Sequence, residues 1–136
     1  DAAQASKEGS STWLEGLDPF QLIACLSDLL RQTDGTPVHV VEVQRLTLRQ
    51  RMEEILERCA DGLTRTFSDL FIYRSTRSDI IVTFMAILEL AKLRLIGLHQ
   101  AEADGAIFCV PRFEEKDQAL EIMHAVHTHT AEEKLL

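Results

Sequence analysis

The chain has 136 residues, which is enough for one domain of roughly 100 residues with extensions. Its formal net charge is −8, with two cations and six acids in residues 1–37, nine and ten in residues 38–110, and three and six in residues 111–136. Acidic ends around a nearly neutral middle disfavour a nucleic-acid binder, which usually has a basic face. The first residue is Asp1 instead of Met, so we expect a piece of a longer protein.

No apolar run approaches the roughly 18 residues of a membrane span, and no signal peptide is visible. We therefore expect a cytoplasmic protein with no membrane contact. The three cysteines, Cys25, Cys59 and Cys109, are odd in number, lack CxxC spacing and lie in apolar patterns. This favours buried thiols in a reducing compartment over the alternatives of a zinc site or a catalytic thiol.

The first predicted helix follows a small, polar leader at residues 1–12. Asp18 suits the N-cap, Pro19 the first helical position, and Gln21 would complete a capping box. The helix runs to about Arg31 before a Gly/Pro break at residues 33–37. Its apolar residues are Phe20, Leu22, Ile23, Leu26, Leu29 and Leu30. Such a short helix cannot bury its own apolar stripe, so we expect it to dock on another surface.

The middle of the chain predicts an extended segment and then an amphipathic helix. Residues 38–43, VHVVEV, are β-branched. Thr47 with Gln50 would cap the helix, and Gly62 would end it. The predicted core face consists of Leu48, Met52, Ile55, Leu56 and Cys59. The opposite face consists of Arg49, Glu53, Glu54, Glu57 and Arg58. We expect its three acids to pair with Arg49, Arg51 and Arg58, on a stripe that faces solvent or a partner.

The elements that follow alternate between short strands and capped helices. Leu63–Thr66 is a predicted strand, Thr66 with Asp69 opens a short helix through Phe71, and Thr76 with Asp79 opens a long helix to about Leu93. Predicted strands at Leu95–Ala101 and Ala106–Val110 are joined by a turn at Asp104-Gly105 and closed by Pro111. This order predicts a mainly α protein with a small β-hairpin (α+β): a winged helix preceded by a docking helix. Residues 114–128 could add a last helix.

The long helix has two apolar faces. Ile80, Phe84, Ile87, Leu88 and Ala91 form the core face; Val82, Ala86, Leu90 and Leu93 form a second. Two such faces indicate burial on two sides. The second face either packs on the chain's own terminal helices or contacts a partner, including a second copy in a homodimer. Either alternative keeps this helix away from DNA, as does the acidic wing tip at Glu102 and Asp104.

Candidate catalytic chemistry is sparse. His124, His127 and His129 form HxxHxH, and two histidines three residues apart can share a metal, but no second ligand cluster supports them. We interpret them as solvated tail residues. No nucleophile elbow, phosphate-binding glycine loop or HExxH motif is present. The sequence predicts no catalytic residue, no metal and no cofactor.

Several segments together match a known family. "LTLRQRMEEILE", "TFSDLF", "VTFMAILELAKL" and "GLHQAEADGAIFC" resemble the C-terminal half of ScpA, the bacterial kleisin subunit of the SMC condensin complex. The segment "LDPFQLIACLSDLLR" looks like the central helix of that family. The similarity covers roughly Leu17 to Val110, and the tail after Pro111 departs from the pattern. No single motif is specific, but the combination is.

The resemblance implies a non-enzymatic protein of chromosome condensation and segregation, associated with the nucleoid. It implies a ScpB-binding central helix within residues 1–37, after the flexible leader, and a C-terminal winged helix at 38–111 that grips the SMC ATPase head. The acidic tail at 112–136, which could be helical, is inferred from its composition alone, because the resemblance does not extend to it. Candidate residues for the ScpB dimer are Phe20, Ile23, Leu26 and Leu30. Candidate residues for the SMC head are Val40, Val41, Leu48, Arg49, Arg51 and Met52. No sequence-specific DNA binding is expected.

Two other classes of function remain open on sequence grounds. One is a winged-helix transcription regulator that dimerises through its apolar helix, and such a protein would bind a DNA duplex with strong salt dependence. The other is a metal-dependent enzyme that uses the tail histidines, which chelators would inhibit.

Overall fold

The computed structural model describes residues 17–33, 44–100, 102 and 105–135, without the side chains of residues 44–47 and 127–135. The predicted leader, the extended segment at residues 38–43 with its candidates Val40 and Val41, and the wing residue Asp104 therefore lie outside the described residues.

Four helices and a small sheet make up the described parts of the chain. The helices are α1 (Pro19–Arg31), α2 (Gln44–Arg58), α3 (Arg77–Lys92) and α4 (Lys116–Leu135). The strands are β1 (Arg65–Thr66), β2 (Ile96–Gln100) and β3 (Ile107–Pro111), and single 3₁₀ turns lie at Cys59–Asp61 and Ser68–Leu70. This is the predicted mainly α class with a small antiparallel sheet, and the last helix is longer than expected.

Two of the three predicted N-cap residues begin a helix in the structure. Thr76 Oγ1 accepts from the Asp79 N–H at 3.1 Å and Asp79 Oδ2 accepts from the Thr76 N–H at 3.3 Å, so the predicted capping box opens α3. Asp18 caps α1 by accepting from the Phe20 N–H at 2.9 Å. The prediction for Thr47 is wrong, because α2 begins at Gln44 and already contains Thr47.

The sheet has the order β1-β3-β2, with both pairs antiparallel. Leu98 and Arg65 both align with Cys109, which puts Cys109 on the central strand. The Phe67 N–H donates to the Ile107 carbonyl at 2.8 Å and extends the β1 pairing by one residue. The sequence predicts a short helix from Thr66 through Phe71. The structure has a single 3₁₀ turn in its place, at Ser68–Leu70.

Helix α3 lies at the centre of the core. It packs against α2, α1 and β2. Phe84 of α3 meets Phe67 edge-to-face at 6.1 Å between ring centroids, and Phe67 meets Phe71 at 5.1 Å. The apolar side chains with no more than 1% exposure on the four helices are Met52, Ile55, Leu56, Ile80, Ala86, Ile87, Leu90, Ala91, Ala119 and Met123.

The second apolar face of α3 is buried inside the chain. Val82, Ala86 and Leu90 are buried and Leu93 is half-buried, while α1 packs against this helix. Of the two alternatives for this face, the structure therefore favours packing within the chain over contact with a partner or a second copy. None of the described helices is long and apolar enough to cross a membrane.

Candidate protein-interaction surfaces

Helix α1 docks through one face and exposes the other. Leu22 and Leu29 are buried, and Leu26 and Leu30 are half-buried against the same core. Sequence reasoning grouped Phe20, Ile23, Leu26 and Leu30 as one stripe and missed that Leu22 and Leu29 form the docking face. The sequence does indicate this face, because Leu22 and Leu29 are seven residues apart and residues at that spacing lie on one side of a helix.

The outer side of α1 carries an apolar patch. Phe20 is 81% exposed and Ile23 is 53% exposed, and Ala24 is also exposed beside them. Residues at i, i+3 and i+4 are neighbours on a helix surface, so these three form one patch, which we call the α1 patch. Toward the C-terminal end of α1, Arg31 pairs with Asp28 at 3.1 Å. A protein surface with a pocket for a phenyl ring is the partner that such a patch suits.

Arg51 is an internal residue of the fold. Only 8% of it is exposed. Its guanidinium donates to Thr83 Oγ1 at 2.6 Å and to the Asp79 carbonyl at 3.4 Å, and it pairs with the Glu54 carboxylate at 3.3 Å. It also lies over the ring of Tyr73, 4.4 Å from the centroid. Arg51 thus joins α2 to α3 and to the loop before α3.

Two predicted contacts for the SMC head are therefore corrected. Met52 has no exposed surface, because it lies on the core face of α2 with Ile55 and Leu56. Arg51 already uses its guanidinium inside the chain. Among the described candidates on α2, the two with accessible side chains are Leu48 and Arg49, which are both half-buried.

The acidic face of α2 contacts the last helix. His124 Nε2 lies 2.8 Å from Glu53 Oε1, and Lys116 Nζ lies 3.4 Å from Glu57 Oε1. Arg49 approaches the same Glu53 oxygen at 3.8 Å. The interpretation of His124 as a solvated tail residue is wrong, because it is half-buried in this contact; the side chains of His127 and His129 lie outside the described residues. The described residues contain no group of His, Cys, Asp or Glu arranged to hold a metal ion.

The three cysteines are free thiols, and two of them lie in the core. Cys59 and Cys109 are buried, as predicted, and Cys25 is half-buried. The hydrogen bond with Cys59 and burial raise the pKa of Cys109, while the same bond lowers the pKa of Cys59. Burial, and then the Asp28 charge, raises the pKa of Cys25. A buried Cys109 that retains its proton packs as a small apolar group and is a poor nucleophile.

Comparison with known proteins connects this architecture to one family. The family model described as "Segregation and condensation protein ScpA" matches residues 14–110. That range contains α1, α2, α3 and most of the sheet, and it ends before α4 begins at Lys116. No solved structure matches the chain.

Three curated relatives carry the name "Segregation and condensation protein A". The chain is 35% identical to the protein of Xylella fastidiosa strain 9a5c over 88 residues, covering 65% of the chain and 29% of the relative. It is 31% identical to that of Myxococcus xanthus over 100 residues, covering 72% and 35%. It is 29% identical to that of Listeria monocytogenes serotype 4b strain CLIP80459 over 112 residues, covering 74% and 45%.

The matched part thus spans between 29% and 45% of the length of these three relatives. Within the chain, the family model covers well over half of the residues, including the buried faces of α1, α2 and α3. The chain belongs to the family of segregation and condensation protein ScpA.

Proposed function

We propose that this chain is a non-enzymatic linker in chromosome segregation and condensation, which joins an SMC ATPase head to the ScpB dimer. The proposal extends the family name to the two partners that the resemblance implies. Its main support is the α1 patch, with Phe20 81% exposed on a helix that is docked in the fold and lies inside the family match. An exposed phenyl ring on an ordered helix is a typical anchor for a groove in another protein.

We assign the α1 patch to ScpB. Leu22 and Leu29 hold the inner side of α1 on the core, so α1 presents Phe20 and Ile23 in a fixed orientation. Pre-ordering of this kind lowers the entropy lost on binding. Leu26 and Leu30 contribute indirectly, because they are half-buried against the core and support the helix from within.

We assign the domain formed by α2, α3 and the sheet to the SMC head, and we interpret it as the winged helix of the family. The candidate contacts that remain on α2 are Leu48 and Arg49. The competing transcription regulator needs a free apolar face for dimerisation, and the burial of Val82, Ala86 and Leu90 disfavours it. The linker carries no chemistry of its own in this proposal, and ATP hydrolysis belongs to the SMC partner.

The test is binding of the 136-residue chain to purified SMC head and to purified ScpB by calorimetry. Removing both Phe20 and Ile23 side chains should weaken ScpB binding at least tenfold, because burying one such side chain contributes about 1.5–3 kcal/mol and about 1.4 kcal/mol is a factor of ten. Leu63→Ala is the matched control, since Leu63 is 62% exposed outside α1. Equal ScpB affinity of F20A/I23A and the parent would contradict the assignment.

A further inference from the structure

Helix α4 lies on the acidic face of α2. Among its described side chains, at residues 116–126, Ala119 and Met123 are fully buried and Leu120 is half-buried beside them. Around this apolar contact, the Lys116–Glu57 ion pair and the His124–Glu53 hydrogen bond form a polar rim. A basic side chain of α4 thus meets an acid of α2 before Ala119 and after Met123 along the helix.

The face of α2 that α4 contacts also holds Arg49, which is a candidate contact for the SMC head. Arg49, Glu53 and Glu57 are four residues apart and form one stripe along α2. Arg49 shares the Glu53 Oε1 oxygen with His124 of α4. A partner that used the carboxylates of this stripe would therefore compete with α4 for them.

The contact between α4 and α2 has the features of a replaceable one. Of the α4 side chains that the structure describes, at residues 116–126, Ala119 and Met123 are fully buried, and both rim contacts are solvent-accessible, with Glu57 at 72% side-chain exposure. Exposed ion pairs contribute little and are screened by salt. Helix α4 also lies beyond residue 110, where the family match ends, whereas the α2–α3 packing lies entirely within it.

We propose that α4 is a displaceable cover on the Arg49–Glu53–Glu57 stripe, and that the SMC head binds this stripe after α4 leaves. The head segment that fits presents an apolar side chain flanked by basic groups, as α4 does with Met123 between Lys116 and His124. Such a segment replaces both the apolar contact and the two basic side chains that lie against the carboxylates. The inference rests on the proposed function, because it takes the SMC head as the partner of this domain.

The test is hydrogen exchange of the whole chain with and without saturating SMC head. On head binding, the amides of α4 should lose protection at least tenfold, while those of α3 keep it. An α4 that stays protected in the complex overturns the cover and leaves the linker function intact. Failure of the head to bind the chain at all overturns both, so the two failures are distinguishable.

Paired variants provide a second measurement. Met123→Asp should release α4 and strengthen head binding at least threefold. Ile122→Asp, at the neighbouring exposed position of the same helix, should change neither. Exchange of the α3 amides reports whether M123D keeps the rest of the fold. An M123D chain that is folded and binds the head no more tightly than the parent contradicts the inference.

Discussion

Arg51 and Thr83 form a buried hydrogen bond of 2.6 Å between α2 and α3. Thr83 Oγ1 also donates to the Asp79 carbonyl at 2.8 Å, one turn earlier in its own helix. The Thr83 hydroxyl therefore accepts a hydrogen bond from the Arg51 guanidinium and donates one to the backbone of α3. A charge that is taken out of water needs such partners, because an uncompensated buried charge is strongly destabilising.

Replacing Thr83 by Val should lower the free energy of unfolding by about 1–3 kcal/mol, because the shape is kept while the Arg51 guanidinium loses a buried acceptor. Urea denaturation of the parent and the variant measures the difference. Arg49→Leu, on the facing helix α2, is the control, and it should change stability by less than about 0.5 kcal/mol because Arg49 is half-exposed. A Thr83→Val chain as stable as the parent would show that the bond contributes nothing net.

Gly62 ends the 3₁₀ turn after α2 in a left-handed conformation, with φ at 78°. A Cβ at this position would have no heavy atom within 4 Å, so a substitution affects backbone strain alone. Gly62→Ala should therefore lower the free energy of unfolding by about 1–2 kcal/mol. Gly62→Asn should lower it less, since Asn tolerates this conformation, and thermal melts of the two variants test the ranking. A larger loss for Asn than for Ala would contradict the steric explanation.

Docking of α1 on α3 should depend on Leu22 and Leu29 and not on Phe20. Leu22→Asp puts a charge into the buried contact, so α1 should leave α3. An isolated helix of this length is only marginally stable, and the amides of α1 should then exchange as fast as those of such a helix. Phe20→Asp should leave their protection unchanged, because its ring is outside the contact. Hydrogen exchange followed by mass spectrometry distinguishes the two. Loss of α1 protection in F20D would place Phe20 in the docking contact.

Sequence patterns predicted the local features of this fold better than its surfaces. The capping box at Thr76 and the strand pair closed by Pro111 depend on short-range chemistry, and both are observed. Met52 and Arg51 show the limit. Their spacing on α2 is compatible with a core face or a partner face, and only the position of α3 decides that Met52 is buried and that Arg51 points at Thr83.

The contact of α4 could not be predicted for a related reason. His124 and Glu53 are 71 residues apart, and neither the HxxHxH pattern nor the glutamate stripe of α2 indicates the other as its partner. Ion pairs between distant helices depend on the tertiary arrangement, whereas pairs such as Arg49–Glu53 follow from helical spacing alone. Within α2, the predicted pairing of arginines with glutamates was confirmed for Arg49–Glu53 and for Arg51–Glu54.

Helix α3 should not bind DNA. Most of its two apolar faces is buried. The charged side chains that solvent reaches along α3 include the half-buried Arg77 and Glu89 and the exposed Lys92, beside the exposed Met85 and the half-buried Ile81 and Leu88. Affinity for a duplex comes mainly from several cations that converge on phosphates. Arg77 and Lys92 lie at opposite ends of α3, and Glu89 lies near Lys92, so this helix does not supply them. Fluorescence anisotropy with a labelled duplex measures the affinity for DNA. The ionic strength should be physiological, where the Debye length is about 8 Å and isolated charges are screened beyond that distance. Submicromolar binding that Lys92→Glu abolishes would contradict both this prediction and the linker function.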